Sequence, residues 1–186
     1  MRSLPDYIRI YDDALQPAFC AQLVEGFEQT VDAQTRNGRG VRAGLDNSAW
    51  TEVDIGRLAD DAFRGFFLSQ IEQYLARYNE DVKLGIPVPF RPRTDHLRMK
   101  RYRRGGDEGF EPHFDSIDQA SARYLVFLWY LNDVEQGGET LFCDLDIKVA
   151  PRAGRLLMFP PYWMFQHAGL PPVSGDKYIL SSYLMF

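Results

Sequence analysis

The sequence predicts a mainly β, α+β domain in which two N-terminal helices pack on a β-sandwich of jelly-roll type. Three observations point there. Apolar residues in the first third recur at helical spacing. From about Leu84 the chain breaks into short apolar or alternating runs punctuated by Gly and Pro, the pattern of a sandwich or small barrel. Aromatics are abundant, with 13 Phe, 10 Tyr and 3 Trp, and flat rings pack well on pleated surfaces.

A short strand is expected over residues 7–11. Pro17 suits a first helical turn, where its missing N–H is no loss, and Phe19, Leu23, Val24 and Phe27 follow on one face. A second, longer helix is expected from near Asp54. Its apolar positions are Leu58, Ala62, Phe63, Phe66, Phe67, Ile71, Tyr74, Leu75 and Tyr78. Between the helices, residues 34–50 hold three Gly and three Arg among small polar residues, the composition of a mobile surface loop. Strands are then expected at 97–102, 124–131, 140–142, 147–149, 156–159, 163–167 and 178–186. The last run, ending at Phe186, is apolar on both alternating faces, as a strand buried inside a packed sheet is. Residues 1–83 thus read as helical support and 84–186 as jelly-roll core of one domain, a division that 186 residues allow.

Composition narrows the function. The net charge of -5 argues against a general nucleic-acid binder, which is normally basic. The N-terminal segment carries acidic residues and no long apolar run, so it is not read as a signal peptide. No later run approaches the ~18 apolar residues of a membrane span. Cys20 and Cys143 stand far apart without ligand spacing, which predicts neither a disulfide nor a zinc framework. A reducing, cytoplasmic location is the expectation.

Metal chemistry is the sharper signal. His113-Phe114-Asp115 places two donors two residues apart, on one face if the segment is a strand. The only other histidines are His96 and His167. Two His and one carboxylate on one face of an octahedral ion leave three positions open, the arrangement of non-haem Fe(II) oxygenases. His-x-Asp alone is weak, and its ordinary reading is a surface or capping His beside an acid. Its context is stronger. His167 follows 54 residues later, and Lys177 ten residues after that, across a turn rich in Pro and Gly. Lys177 is then either a solvated lysine beside a turn or the cation that meets the distal carboxylate of a metal-chelating dicarboxylate. His96, preceded by Asp95, is expected to have no catalytic role.

In order along the chain, Tyr102, Glu111-Pro112-His113-Phe114-Asp115, Tyr130-Leu131-Asn132, Gly137-Gly138-Glu139-Thr140-Leu141-Phe142, Val149-Ala150-Pro151-Arg152-Ala153-Gly154, His167-Ala168-Gly169, Pro172-Val173 and Gly175-Asp176-Lys177 resemble the 2-oxoglutarate/Fe(II)-dependent dioxygenases of the prolyl 4-hydroxylase-like branch. The resemblance covers about half the chain. It implies a double-stranded β-helix, with Fe(II) on His113, Asp115 and His167 and Lys177 anchoring 2-oxoglutarate. It further implies that Tyr130 donates to the same carboxylate, that Ser181 assists, and that Tyr102 lines the cosubstrate pocket, with core packing as the plain reading of Tyr102. Strand parity puts Tyr102 on one face with Arg98 and Lys100, so either a bulge intervenes or that face is the polar mouth of the barrel. The two glycine-containing turns are read as structural devices. Hydroxylation is the implied outcome, because halogenating members usually lack the carboxylate that Asp115 provides. Dioxygen is the implied co-reactant and ascorbate a candidate reductant. The implied substrate is a peptidyl proline, with a free amino acid or small natural product as the alternative. A catalytically silent metal-binding jelly roll is the rival from another class.

Two further segments bear on substrate. Residues 103–111 immediately precede the first donor and read as a lid. Residues 91–104 carry seven basic side chains. They read either as attraction for an anionic substrate or, the plainer alternative, as an edge strand blunted by charge.

Overall fold

The computed structural model describes residues 2–41, 44–86 and 93–186. A 3-10 turn at Leu4–Tyr7 leads into β1 (Arg9–Tyr11). Helix α1 (Pro17–Gln29) starts on Pro17 and buries Cys20, Leu23 and Phe27. The hairpin of β2 (Thr35–Gly38) and β3 (Ala49–Asp54) comes next, then one turn of α2 (Ile55–Leu58) and the long α3 (Asp61–Val82). The remaining strands are β4 (Arg93–Thr94), β5 (Arg98–Tyr102), β6 (Phe110–His113), β7 (Arg123–Tyr130), β8 (Thr140–Phe142), β9 (Ile147–Val149), β10 (Leu156–Phe159), β11 (His167–Gly169) and β12 (Lys177–Met185).

Among the described residues the strands form two antiparallel sheets. The major sheet runs β1-β10-β7-β12-β5-β3-β2, with β4 also pairing β12, and the minor sheet runs β6-β11-β8-β9. Alternation along the major sheet sorts its side chains into two cores. Met99, Phe127, Trp129, Met158 and Leu180 pack against Phe67, Ile71 and Leu75 of α3. Val126, Leu128, Tyr130, Phe159, Ile179 and Tyr183 pack toward Phe142 and Val149 of the minor sheet. Strand β12 lies between β7 and β5 and is buried from Lys177 to Leu184, which is why it reads as apolar on both faces. Jelly-roll layers and N-terminal helical support are therefore present as expected.

Several elements differ from expectation. The longer helix does not start near Asp54: β3 runs through Asp54, and α3 begins only after Asp60, whose side chain accepts from the Phe63 N–H at 2.8 Å. That cap satisfies a first-turn donor and fixes the start. Leu58 consequently lies outside α3 and is exposed. The expected surface loop at 34–50 contains the β2–β3 hairpin, with Ala49 and Trp50 buried; residues 42–43 lie outside the described residues. The strand expected at 163–167 is a 3-10 turn, Trp163–Phe165, and pairing starts at His167. Strand β5 is not an edge, since β3 and β12 flank it. Both cysteines are free. No helix among the described residues is long and apolar enough to cross a membrane.

Candidate active site

The minor sheet brings the two distant histidines together. Its β6–β11 register sets His167 directly opposite His113. Asp115 is not on the strand with His113, as the spacing suggested, but on the loop just beyond β6. Its N–H and that of Ser116 both donate to the Pro161 carbonyl at 3.0 Å, which turns the chain out of the ladder. The carboxylate is then held by the Tyr183 hydroxyl, which donates to Oδ1 at 3.1 Å.

Possible ligand atoms of His113, Asp115 and His167 all lie within 4.8 Å of one another. Nε2 of His113 is 3.6 Å from Asp115 Oδ1, and Nε2 of His167 is 3.5 Å from Oδ2. Each ring is oriented through its other nitrogen: Nδ1 of His113 meets the Glu111 carbonyl at 2.7 Å and Nδ1 of His167 meets the Phe165 carbonyl at 3.1 Å. A carbonyl only accepts, so Nδ1 carries the proton and Nε2 keeps a free lone pair. This backbone support is what metal-binding imidazoles require. Burial, then the neighbouring His113, pushes the His167 pKa down to about 4, so its ring is neutral at neutral pH. Burial opposes the charge of Asp115, yet the contact with His113 and the fields of His167 and Lys100 hold its carboxyl well below the usual range. Two imidazoles and one carboxylate fit a facial site for Fe(II).

The major sheet forms the opposite wall. Its β5–β12 register pairs Lys177 with Tyr102 and Ile179 with Lys100. No bulge interrupts that pairing, so the face shared by Tyr102 and Lys100 is the polar wall of the site. A small cavity lies between the walls. The three donors line it, as do Lys177, Tyr102 and Ser181. Lys177 is 2% exposed, and its ammonium lies over the ring faces of Tyr102 at 5.2 Å and Tyr130 at 5.8 Å, with Glu139 the acid whose field acts on it. Burial drives its pKa down to about 7. Tyr130 stands behind the wall, its hydroxyl 2.7 Å from Thr140 Oγ1, while Ser181 Oγ reaches the Arg98 carbonyl at 3.5 Å. Burial raises the phenols of Tyr102, Tyr130 and Tyr183 well above their ordinary range, so all three are neutral at neutral pH. His96 pairs with Asp54 at 3.0 Å, outside the cavity.

Among the polar cavity residues, Thr140 and Tyr183 were not singled out in the sequence, whereas Lys100 was placed with Tyr102 on a face that could be the polar mouth of the barrel. Strand parity with Lys177 and Ser181 was available to find Tyr183. Thr140 was hidden in a run read as purely structural. That run is also a turn: Gly137 has φ +74°, and a Cβ there would meet the Pro171 carbonyl oxygen at 2.5 Å, so only glycine lets this loop approach the segment leading to Lys177. The expected lid at 103–111 is partly anchored. Glu108 is buried, accepts from the Arg103 N–H at 2.9 Å and pairs with Arg36 at 3.4 Å.

Residues 97–185 match the family model described as the 2OG-Fe(II) oxygenase superfamily. That segment is a little under half of this chain. The chain is similar to the prolyl 4-hydroxylase subunit alpha-1 of Gallus gallus, at 29% identity over 108 residues, covering 49% of this chain and 20% of the relative. The chain therefore spans about a fifth of the length of that relative. Its fold is similar to the 2OG complex of a viral collagen prolyl hydroxylase from Paramecium Bursaria Chlorella virus-1, with TM-score 0.64 and 21% identity over 96% of this chain and 95% of the other. It is also similar to a Trichoplax adhaerens prolyl hydroxylase in complex with a hypoxia inducible factor peptide fragment, with TM-score 0.68 and 18% identity over 97% of this chain and 84% of the other. A jelly-roll fold similar to theirs thus extends over nearly the whole chain.

Proposed function

We propose that this chain is an Fe(II)- and 2-oxoglutarate-dependent dioxygenase that hydroxylates an unactivated C–H bond. The observation that carries this reading is Lys177, a buried ammonium over two aromatic faces with no ion pair or hydrogen bond to an acid among the described residues, in one cavity with the His113, Asp115 and His167 donors. A buried cation calls for an anion, and a silent metal-binding jelly roll has no use for one there.

In this reading His113 and His167 bind Fe(II) through Nε2 and Asp115 through its carboxylate. Lys177 pairs with the distal carboxylate of 2-oxoglutarate. Ser181 supplies a neutral hydrogen bond to it, the Tyr130 hydroxyl would have to turn from Thr140 to add a second, and Tyr102 walls the pocket. When bound, Fe(II) and 2-oxoglutarate supply the chemistry: dioxygen is consumed, the keto acid leaves as succinate and carbon dioxide, and one oxygen atom enters the substrate C–H bond. The protein aims the substrate and keeps water from the cavity. Ascorbate is the reductant assigned to restore ferrous iron after unproductive turnover. The free cysteines and the need for ferrous iron suit a reducing compartment, the cytoplasm. The names of the relatives support a prolyl ring in a peptide as substrate. A free amino acid or small natural product is the second reading, favoured by Lys100 inside the cavity.

The test is a succinate assay with Fe(II), 2-oxoglutarate and dioxygen across prolyl peptides, free amino acids and small carboxylic acids. Substrate-stimulated succinate with a hydroxylated product is expected. A protein that binds no divalent metal at micromolar concentration would overturn the proposal.

A further inference from the structure

Lys100 is the second ammonium of the cavity, and neither the metal nor the cosubstrate accounts for it. On β5 it stands directly across from Glu52 of β3, where a cross-strand ion pair would ordinarily form. No pair forms, because the Glu52 carboxylate is taken by Trp50 Nε1 at 2.6 Å and Arg98 Nη1 at 3.0 Å. The Lys100 ammonium lies instead over the Trp50 ring at 5.4 Å and the Phe110 ring at 5.9 Å. The Phe110 ring stacks on His113 at 3.7 Å, so the aromatic shelf beneath Lys100 continues to the metal donors. Burial lowers its pKa, and Glu52 and Asp115 oppose that fall.

Charge counting sharpens the point. With the site loaded, Fe(II), Lys177 and Lys100 bring two, one and one positive charges, and Asp115 and 2-oxoglutarate bring one and two negative charges. The Glu52–Arg98 pair is neutral by itself. Among the groups that line the cavity one positive charge is left, since Glu139, whose field acts on Lys177, lies outside that lining, and an anion that enters is favoured. Position separates the two lysines: Lys177 is fully buried at one end, while Lys100 is partly exposed and one strand step closer to Asp115 and Tyr183.

We propose that Lys100 binds the carboxylate of the substrate, and that this substrate is a small free amino or imino acid. The proposal rests on the Fe(II)/2-oxoglutarate reading of the same cavity. A residue inside a peptide would present neutral amides to Lys100, which leave the charge uncompensated; a free acid presents the carboxylate on the molecule being oxidised. The other source of a carboxylate is an acidic side chain of a peptide.

The experiment uses the full chain with Fe(II) and 2-oxoglutarate under anaerobic conditions. Thermal shift and calorimetric titration are run with free L-amino and imino acids, their carboxamides, and proline peptides with neutral or Asp flanks. At least one free acid should bind on the order of tenfold more tightly than its amide, the ratio a charge-assisted contact supports. Lys100→Met should remove that ratio, Lys100→Arg should keep part of it, and both should leave the visible 2-oxoglutarate charge-transfer band within about threefold in cosubstrate affinity. The proposal is overturned if no acid is preferred to its amide, if Lys100→Met keeps the preference, or if it weakens 2-oxoglutarate as much as Lys177→Ala does. Lys100-dependent binding of the Asp-flanked peptide alone overturns the free-acid assignment. Absence of the charge-transfer band in the wild type counts against the Fe(II)/2-oxoglutarate reading instead, and the acid-to-amide ratio still reports on Lys100.

Discussion

The two sheets contribute unequally to the cavity. The major sheet has the long strands, and β12 keeps every residue from Lys177 to Leu184 buried between two neighbours. The minor sheet is made of strands of three or four residues. Yet the minor sheet and its adjoining loop carry the three proposed metal donors, while the major sheet carries both cavity lysines. The longest buried strand and the proposed metal site thus sit on opposite walls. The difference teaches that damage to one wall should be separable from damage to the other.

The largest expected effect follows from removing part of β12. Deleting residues 181–186 takes away buried Tyr183 and Leu184, at ~1.5–3 kcal/mol each, and severs ladders to both β7 and β4. Against a total stability of ~5–15 kcal/mol, no cooperative thermal transition should remain. The chain end itself adds little, since Phe186 is 69% exposed. A truncated protein that melts cooperatively would mean that the major sheet is not where the stability lies.

Substitutions on the minor wall should show the reverse. His113→Ala, Asp115→Ala or His167→Ala should abolish the anaerobic charge-transfer band of Fe(II) with 2-oxoglutarate. Each should cost about 1–2 kcal/mol of stability, a shift of roughly 2–8 °C in midpoint at this chain length. Loss of cooperative melting in all three variants would erase the contrast between the sheets.

Lys177→Ala should weaken 2-oxoglutarate by roughly ten- to hundredfold and leave metal affinity nearly intact, as separate titrations would show. The pH dependence has a definite sign. With its folded pKa lowered to about 7 and an unfolded value near ~10.4, Lys177 is more protonated in the unfolded state between those limits. Stability of the cosubstrate-free protein should therefore gain from this group as pH rises from about 7 to about 10. Over the same window 2-oxoglutarate binding should weaken, because it must first protonate the lysine. Calorimetry in buffers of different ionisation heat should detect that proton uptake, and Lys177→Met should flatten both slopes.

Tyr183→Phe is the mildest change, removing one hydrogen bond from Asp115. Metal affinity should fall roughly three- to tenfold, with little change in melting. An unchanged metal affinity would leave Tyr183 as packing alone.

Much of this arrangement was legible in sequence where alternation and residue type agree. The two-faced apolar run of β12 announced a buried strand, and the order of His113, His167 and Lys177 announced one site. Register was not legible: nothing local says that His167 faces His113 across β6 and β11. The hairpin was hidden because β2 is polar and exposed at Thr35 and Arg36, leaving no alternation to read. That omission had a second effect. Without β3 in view, β5 looked like a charged edge, so Lys100 read as solvated when it faces the cavity. Asp115 was misplaced for a related reason, since its N–H bonds to Pro161 instead of a strand partner.

The backbone carbonyls of Glu111 and Phe165, each two residues before a histidine, fix both imidazoles by bonds in which a metal takes no part. If the site takes the proposed metal, metallation is thereby separated from folding. The polypeptide can be made first and receive its ion later, with no ligand search to slow uptake. Exchange of one divalent ion for another is then governed by release from the three donors and by which metal the surroundings offer, not by rearrangement of the chain.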